Sequence, residues 1–224
     1  MGAENKLRII YEDKYLVVIH KPAGVATQTR RVDEPDLVSY VKNYLNGGYV
    51  GLINRLDRQV EGLVLMAKTS SSAAILSREL EERKLEKSYR AKVYIDKNNS
   101  SVISDSYVRL SDHIDFDKIK NMSRICDKTV VNAKVGELEY KMTDITVEDD
   151  HYIADVDIHL FTGRHHQIRL QLSNAGMPIL GDLKYGSNDS VTYSKVRNMT
   201  AIDLCAYKLR FIHPFNGVEL TFAI

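Results

Sequence analysis

The sequence predicts an α+β fold, and three kinds of pattern support this class. Short apolar or alternating segments, typical of strands, occur at both ends of the chain and in its middle. Other segments carry apolar residues at helical spacing between residues that start or stop helices. Turn signals such as Lys21-Pro22-Ala23-Gly24 and His213-Pro214 lie between strand-like segments. Together these patterns predict helices packed on a sheet.

Four strands and two helices are predicted in the first part of the chain. The first helix begins at Pro35 and Asp36 and stops at Gly47-Gly48. The second has N-cap candidates at residues 70–72 and extends to about Glu86. The predicted strands of this part are residues 7–10, 15–19, 63–67 and 87–95.

The second part of the chain is predicted to contain more strands and one helix. Residues 166–175 have apolar residues at helical spacing, with Gly176 as the stop. Residues 96–127 lack a strong period and are expected to form a polar, irregular surface excursion with short elements, suited to RNA contacts. Residues 186–194 are expected to form an irregular loop. The predicted strands are residues 130–135, 140–146, 153–160, 204–211 and 220–222.

Composition restricts the class of protein only coarsely. With 224 residues, 44% hydrophobic and 27% charged, the chain suits one sizeable globular domain or two small lobes sharing a core. The net charge of +1 does not by itself indicate a nucleic-acid binder, although basic residues can still concentrate on one face. Cys126 and Cys205 form no paired framework, and we expect a reduced, cytoplasmic compartment without a leader or membrane span.

The most informative motif is the run from Asn54 to Lys68. It places Asp57 between Arg55 and Arg58, followed by Gly62 and an apolar strand. Nearby positive charge favours the charged form of a carboxylate, so Asp57 is expected to be ionised at neutral pH. An ionised carboxylate suits the role of nucleophile or base and does not suit that of general acid.

A second motif lies downstream, where residues 162–169 read Thr-Gly-Arg-His-His-Gln-Ile-Arg. In order and separation, the two motifs resemble the signatures of the RluA-type RNA pseudouridine synthases. The resemblance includes Lys21-Pro22-Ala23-Gly24 and the Lys-x-Tyr-x-Ala pattern that begins at Lys87. It extends over residues 7–222, as a catalytic domain without the N-terminal S4-like RNA-binding module of many relatives.

The resemblance implies a fold, a reaction and a partner. The fold is the pseudouridine synthase fold, with a mixed, largely antiparallel central sheet and flanking helices. We expect residues 1–224 to form one catalytic domain of two lobes sharing that sheet. The reaction is the isomerisation of uridine to pseudouridine in structured ribosomal or transfer RNA. It requires neither a cofactor nor a metal, and a monomer is expected.

The resemblance also implies site residues. Asp57 corresponds to the catalytic carboxylate, Tyr89 to a tyrosine that stacks on the base near C5, and Arg164 to an arginine that pairs with that carboxylate. An arginine at a helix N-terminus favours an anion on physical grounds as well. Arg55 is expected to occupy the space of the extruded base, and Ile168 to pack near the uracil. The remaining predicted RNA-binding residues are His166, Arg169, Lys195 and Arg197.

His165 and His166 do not predict a metal site. Adjacent residues do not share one face of a helix or strand, and the sequence contains no HExxH or CxxC partner motif. Within the family resemblance, His166 is expected to be structural or to face a phosphate.

Three positions depart from the family pattern and keep alternatives open. Asn54 replaces the usual His, and Val60-Glu61 replaces the usual Thr-Ser, which adds a negative charge close to Asp57. The alternative function is a catalytically impaired RNA-binding protein that retains the fold. A glycosidase using Asp57 and Glu61 as its carboxylate pair is also conceivable, but it does not explain Tyr89 or the Arg164 motif.

Overall fold

The computed structural model describes residues 7–29 and 33–224, and the chain forms two compact units. The first unit combines the residues up to 87 with residues 205–224, and the second contains residues 88–204. In chain order the elements are β1 (Arg8–Glu12), β2 (Leu16–Lys21), α1 (Leu37–Tyr44), β3 (Gly51–Leu52), β4 (Glu61–Ala67), α2 (Ser70–Glu81), β5 (Glu86–Asp96), a 3-10 segment (Lys97–Val102), β6 (Val108–Asp117), β7 (Met122–Ile125), β8 (Lys134–Val147), β9 (His151–Leu160), α3 (Gln167–Asn174), α4 (Asn188–Val196), β10 (Leu204–Ile212) and β11 (Glu219–Ala223).

The first unit contains a mixed sheet. Strand β2 lies antiparallel to β1 and β4, β3 is antiparallel to β4, and β10 runs parallel to β4 and antiparallel to β11. Residues 16–19 of β2 and 63–67 of β4 are fully buried. Continuous apolar runs of strand length are buried on both faces, and this explains why these two strands are central.

Two helices belong to the first unit, and both begin at a capping side chain. The carboxylate of Asp36 accepts a hydrogen bond from the Ser39 backbone N–H (2.7 Å) at the start of α1, as predicted. Helix α2 is capped by Thr69, one residue before the predicted candidates. It ends at Glu81 and does not reach Glu86, because Arg83 adopts the left-handed conformation (φ 60°) that terminates helices.

The second unit contains an antiparallel sheet in the order β5-β9-β8-β6-β7. Two predictions for this region are wrong. Residues 130–135 and 140–146 are not separate strands, because β8 runs continuously over Lys134–Val147. The stretch 96–127 is not mainly irregular, since it contains the ten-residue strand β6 and strand β7. The apolar residues Val108, Leu110, Ile114 and Phe116 of β6 lie at every second position, interrupted only by Asp112, so the sequence carries a strand period that the prediction did not use.

The helices of the second unit give one confirmation and one correction. Helix α3 occupies Gln167–Asn174, inside the predicted residues 166–175. The predicted loop at residues 186–194 is wrong, because most of it belongs to α4. The buried residues of α4 are Ser190 and Ser194, so this helix has no apolar stripe for a sequence pattern to reveal. Among the described residues, no helix has the length and apolar character needed to cross a membrane.

Gly62 gives a test of the sheet in the first unit. It pairs with Ala206 on β10, has φ +134°, and an added Cβ would lie 2.5 Å from both the backbone N and O of Ala206. We expect Gly62→Ala to lower the free energy of unfolding by at least about 3 kcal/mol, since strain and overpacking add. The measurement is urea unfolding of the purified variant.

Gly24→Ala is the matched control for that experiment. Gly24 also has a positive φ (+89°), but no atom lies within 4 Å of the added Cβ. Only backbone strain of about 1–2 kcal/mol is therefore expected. Equal losses in the two variants would contradict the close approach of β4 and β10.

Candidate active site

Asp57 lies in the loop that connects β3 to β4 in the first unit. Its neighbours Leu56 and Val60 are buried, Asp57 is partly exposed, and Arg55 and Arg58 are exposed. A turn is closed by the Val60 N–H, which donates to the Asp57 carbonyl (3.0 Å). The loop therefore places Leu56 and Val60 in the core and Asp57 toward the surface.

The segment 21–27 holds this loop on both sides of Asp57. The Gly24 N–H donates to the Arg58 carbonyl (2.8 Å). The Thr27 hydroxyl donates to the Leu56 carbonyl (2.7 Å) and accepts from the Leu56 N–H (3.2 Å). The backbone around Asp57 is thus fixed before any substrate binds, which is what precise positioning of a reacting group requires.

Lys21 is a residue of this site that sequence reasoning missed. It is fully buried, and its Nζ donates to the carbonyls of Pro22 (3.0 Å), Val25 (2.8 Å) and Arg58 (3.2 Å). Burial lowers the pKa of Lys21 to about 8, although the nearby charges of Asp57 and Glu61 act in the opposite direction. The available signal was a lysine directly after the apolar run 16–19 and His20, although the sequence also marks Lys21 as the start of a turn.

Asn54 has a structural explanation. It is buried, its side-chain N–H donates to the Leu63 carbonyl (3.2 Å), and its side-chain carbonyl accepts from the Leu65 N–H (2.7 Å). The amide group therefore satisfies two backbone groups of β4. This departure from the family pattern supports the strand that follows the Asp57 loop.

The Val60-Glu61 departure is also accommodated locally. Val60 is buried in the core, where a hydroxyl is not needed. Glu61 is exposed, and its carboxylate lies 2.8 Å from Nε2 of His20 on β2. The added negative charge therefore has a partner of its own on the neighbouring strand.

In the second unit, Tyr89 and Ile168 are buried. Tyr89 lies on β5, opposite Ile158 of β9, and Ile168 lies in the first turn of α3. His166 precedes α3 in the left-handed conformation (φ 51°), with Nδ1 3.0 Å from the Tyr185 hydroxyl. This contact gives His166 a packing role within the unit.

Arg164 lies just before α3 and its orientation is defined by two contacts. Its Nε donates to the Val135 carbonyl (2.8 Å), and its backbone N–H donates to the side-chain oxygen of Gln167 (2.9 Å). Among the described residues of the second unit, its guanidinium forms no ion pair. The terminal nitrogens of Arg164 can therefore bind an anion, and its predicted pairing with Asp57 stays a prediction.

Arg169 has a different environment from the one we expected. It is buried, and its Nε and Nη2 donate to the two carboxylate oxygens of Asp182 (2.7 and 2.8 Å). Burial alone would raise the pKa of Asp182, but the hydrogen bond and charge of Arg169 outweigh it, and the pKa is lowered. Because this bidentate pair is internal, the structure argues against a direct phosphate contact by Arg169.

The remaining predicted RNA-binding residues lie at the surface. Arg55 is exposed beside the Asp57 loop, and Lys195 is exposed in the last turn of α4. Arg197 stacks over the Tyr193 ring (3.5 Å to its centroid) and lies 3.3 Å from a Glu148 oxygen. Its charge is therefore partly compensated within the protein. The described residues contain no cluster of three or more His, Cys, Asp or Glu side chains able to hold a metal ion.

Comparison with known proteins decides the family. The RNA pseudouridylate synthase family profile matches residues 15–174, which include the Asp57 loop and Arg164. The chain belongs to this family. Its predicted family membership is thereby confirmed.

Two curated relatives from bacteria show the extent of the match. The chain is 30% identical over 218 residues to ribosomal large subunit pseudouridine synthase C of Buchnera aphidicola subsp. Schizaphis graminum, covering 95% of this chain and 65% of that protein. It is 34% identical over 213 residues to the protein of the same name from Rickettsia felis, covering 93% and 65%. The chain thus spans just under two thirds of the length of these relatives.

Solved structures confirm the predicted α+β fold. Human RNA pseudouridylate synthase domain containing 1 superposes with a TM-score of 0.77 at 21% identity, covering 100% of this chain and 85% of that one. The human domain containing 4 protein gives 0.70 at 22% identity, covering 96% and 87%. At this identity the likeness establishes the fold alone.

The buried Lys21 predicts a pH dependence of stability. Its pKa is about 8 in the folded protein and near 10.5 when exposed, so between these values the unfolded state binds more protons. The free energy of unfolding should therefore rise with pH from about 8 to 10.5. We expect Lys21→Met to reduce this slope by roughly 1 kcal/mol per pH unit, measured by urea unfolding at several pH values.

Two features make the Lys21 experiment specific. The variant also leaves three carbonyls without their donor, which lowers stability at every pH but does not change the slope. Lys42→Met, at an exposed position of α1, controls for the loss of a lysine. Identical slopes in wild type and Lys21→Met would contradict a depressed pKa at this position.

Proposed function

We propose that this protein is an RNA pseudouridine synthase that isomerises uridines in structured RNA. The observation that carries the proposal is the Asp57 loop, which presents a partly exposed carboxylate on a backbone held from both sides. Family membership supports the reaction. The names of the curated relatives favour ribosomal RNA of the large subunit as substrate, and transfer RNA is the second candidate.

The reaction explains why a fixed carboxylate is needed. The C1′–N1 bond of uridine breaks, the uracil turns, and a bond forms from C1′ to C5, while the C5 proton leaves and N1 gains one. The atoms of product and substrate are the same, and no electron or phosphoryl group is transferred, so we expect no cofactor or metal. The protein must supply a carboxylate at the ribose or base, a flat surface for the freed uracil, and exclusion of water.

We assign the remaining roles to four residues. Tyr89 stacks on the uracil, and its hydroxyl accepts the C5 proton. Ile168 packs beside the base. Arg164 binds an anion, either the Asp57 carboxylate or an RNA phosphate. Arg55 is exposed beside the Asp57 loop and occupies the space left by the extruded nucleotide.

A catalytically impaired RNA-binding protein was the alternative. Its support was the Val60-Glu61 substitution, since a new carboxylate close to Asp57 could disturb it. Val60 is buried in the core and Glu61 pairs with His20, so the observation behind the alternative has a local structural explanation.

We further propose that the enzyme acts as a monomer in the cytoplasm.

Asp57→Asn tests the catalytic role directly. The change keeps the shape and removes only charge and basicity, so we expect less than about 1% of wild-type pseudouridine formation, with RNA affinity and unfolding midpoint nearly unchanged. Release of tritium from C5-labelled uridine in RNA measures turnover. Asp149→Asn, at an exposed position, is the control and should remain fully active. An Asp57→Asn variant with substantial turnover would refute the assignment.

Tyr89→Phe separates stacking from proton transfer. The ring is retained, so RNA binding should match wild type, whereas C5 proton release should slow by at least about a hundredfold because the hydroxyl is the base. Rapid-quench kinetics of tritium release measure this step. Full activity in Tyr89→Phe combined with loss in Tyr89→Ala would leave stacking as the only role of this residue.

A further inference from the structure

The segment before α3 is held by a side chain that belongs to the helix itself. His166, at the N-cap, adopts the left-handed conformation, and its side chain forms no capping hydrogen bond to any described residue of α3. Gln167, the first residue of α3, is 2% exposed. Its amide oxygen accepts from the Thr162 hydroxyl (2.8 Å) and from the Arg164 backbone N–H (2.9 Å). The side chain of Gln167 therefore folds back over the residues that precede the helix.

Gln167 binds both backbone groups of Arg164. Besides accepting from the Arg164 N–H through its side chain, it donates its own backbone N–H to the Arg164 carbonyl (3.2 Å). A residue outside a helix or strand is otherwise free to change its φ and ψ angles, and two hydrogen bonds to one neighbour remove much of that freedom. The backbone from which the Arg164 side chain extends is therefore fixed by Gln167.

Gln167 also holds the strand that contacts the Arg164 side chain. Its amide N–H groups donate to the Glu137 carbonyl (3.1 Å) and to the side-chain oxygen of Gln171 (3.0 Å). Glu137 lies on β8, two residues after Val135, whose carbonyl accepts from Nε of Arg164 (2.8 Å). One buried amide thus connects the backbone of Arg164 to the strand that orients its guanidinium group.

Two features distinguish this arrangement from ordinary helix capping. A Ser, Thr, Asp or Asn at the N-cap would satisfy the free N–H groups of a helix without strain, whereas His166 adopts a backbone conformation that is uncommon for residues other than glycine. The amide of Gln167 has two acceptor and two donor positions, and all four are filled by the contacts above. Neither acceptor position serves the helix. Strained backbone is concentrated at functional sites, and here it lies two residues from Arg164.

We propose that Gln167 is the positioning residue for Arg164. It keeps the guanidinium group in one place, so that the terminal nitrogens can bind an anion with the directional hydrogen bonds that such a contact requires. Gln167 is buried and acts only through Arg164. The proposal rests on the proposed function, because an effect on turnover requires that Arg164 takes part in the reaction.

The first experiment compares Gln167→Met with Gln171→Met. Both variants replace a buried amide of α3 by an apolar side chain of similar size, and Gln171 donates to the Asp112 carboxylate (2.6 Å) and the Gly136 carbonyl (3.2 Å). Urea unfolding should therefore show similar losses of stability. Only Gln167→Met releases Arg164, so its kcat/KM for tritium release from C5-labelled RNA should fall at least about tenfold, against less than about threefold for Gln171→Met. Equal falls in the two variants would overturn the proposal.

A double-mutant cycle tests whether the loss acts through Arg164. In an Arg164→Ala background, Gln167→Met should lower kcat/KM further by less than about twofold, because a guanidinium group that is absent cannot be misplaced. A role of Gln167 in the stability of α3 alone would lower kcat/KM by the same factor in both backgrounds. That result would overturn the proposal.

Hydrogen exchange followed by NMR tests the same contact without RNA. In wild type, the Arg164 backbone N–H should exchange at least about a hundredfold more slowly than that of the exposed Gly163, because Gln167 binds it. This protection should be lost in Gln167→Met and retained in Gln171→Met. Equal exchange at Gly163 and Arg164 in wild type would overturn the proposal even if Gln167→Met does not fold. The expected pattern in a protein that forms no pseudouridine would refute the proposed function and leave the positioning of Arg164 by Gln167 standing.

Discussion

The attachment of the Asp57 loop to the segment 21–27 is the constraint on which the candidate site depends. A loop that leads into a buried strand exposes several backbone carbonyls to a region without water, and each needs a donor. The buried Nζ of Lys21 donates to the Arg58 carbonyl of the loop as well as to Pro22 and Val25 in its own segment, and the Thr27 hydroxyl satisfies the Leu56 carbonyl. A flexible loop would not hold the carboxylate of Asp57 in one place, and positioning of a reacting group is where much of catalytic power originates.

The strand after that loop limits which residues the loop can contain. Strand β4 is buried from Gly62 to Ala67 and approaches β10 so closely that there is no room for a side chain at Gly62. Asn54 satisfies two backbone groups of the same strand, and Glu61 finds its partner in His20. The residues that depart from the family pattern thus satisfy hydrogen bonds and pair a charge on or beside β4. They leave the two arginines that neighbour Asp57 exposed.

In the second unit, a buried ion pair restrains the start of α3, next to Arg164. Arg169 and Asp182 form a bidentate contact that ties α3 to the segment after it, and the stack of Arg169 over Tyr185 extends this contact. The Tyr185 hydroxyl in turn contacts His166 at the start of α3. Breaking one partner of such a pair leaves an uncompensated buried charge, so the helix start that presents Arg164 is strongly restrained.

The sequence alone determined the fold class, the family, most strands and three of the four α-helices, because each of these carries a local apolar period, a cap or a motif. It also singled out Asp57, Tyr89 and Arg164 by their motifs, and their roles remain predictions. Tertiary structure alone decided the helix α4, whose buried residues are polar, and the burial of Lys21, Lys87 and Arg169. The alternating apolar residues of β6 were available in the sequence and were not used. Lys21 meets Arg58 across 37 residues of sequence. A partner at such a separation is selected when the chain packs, and no local pattern in the sequence encodes it.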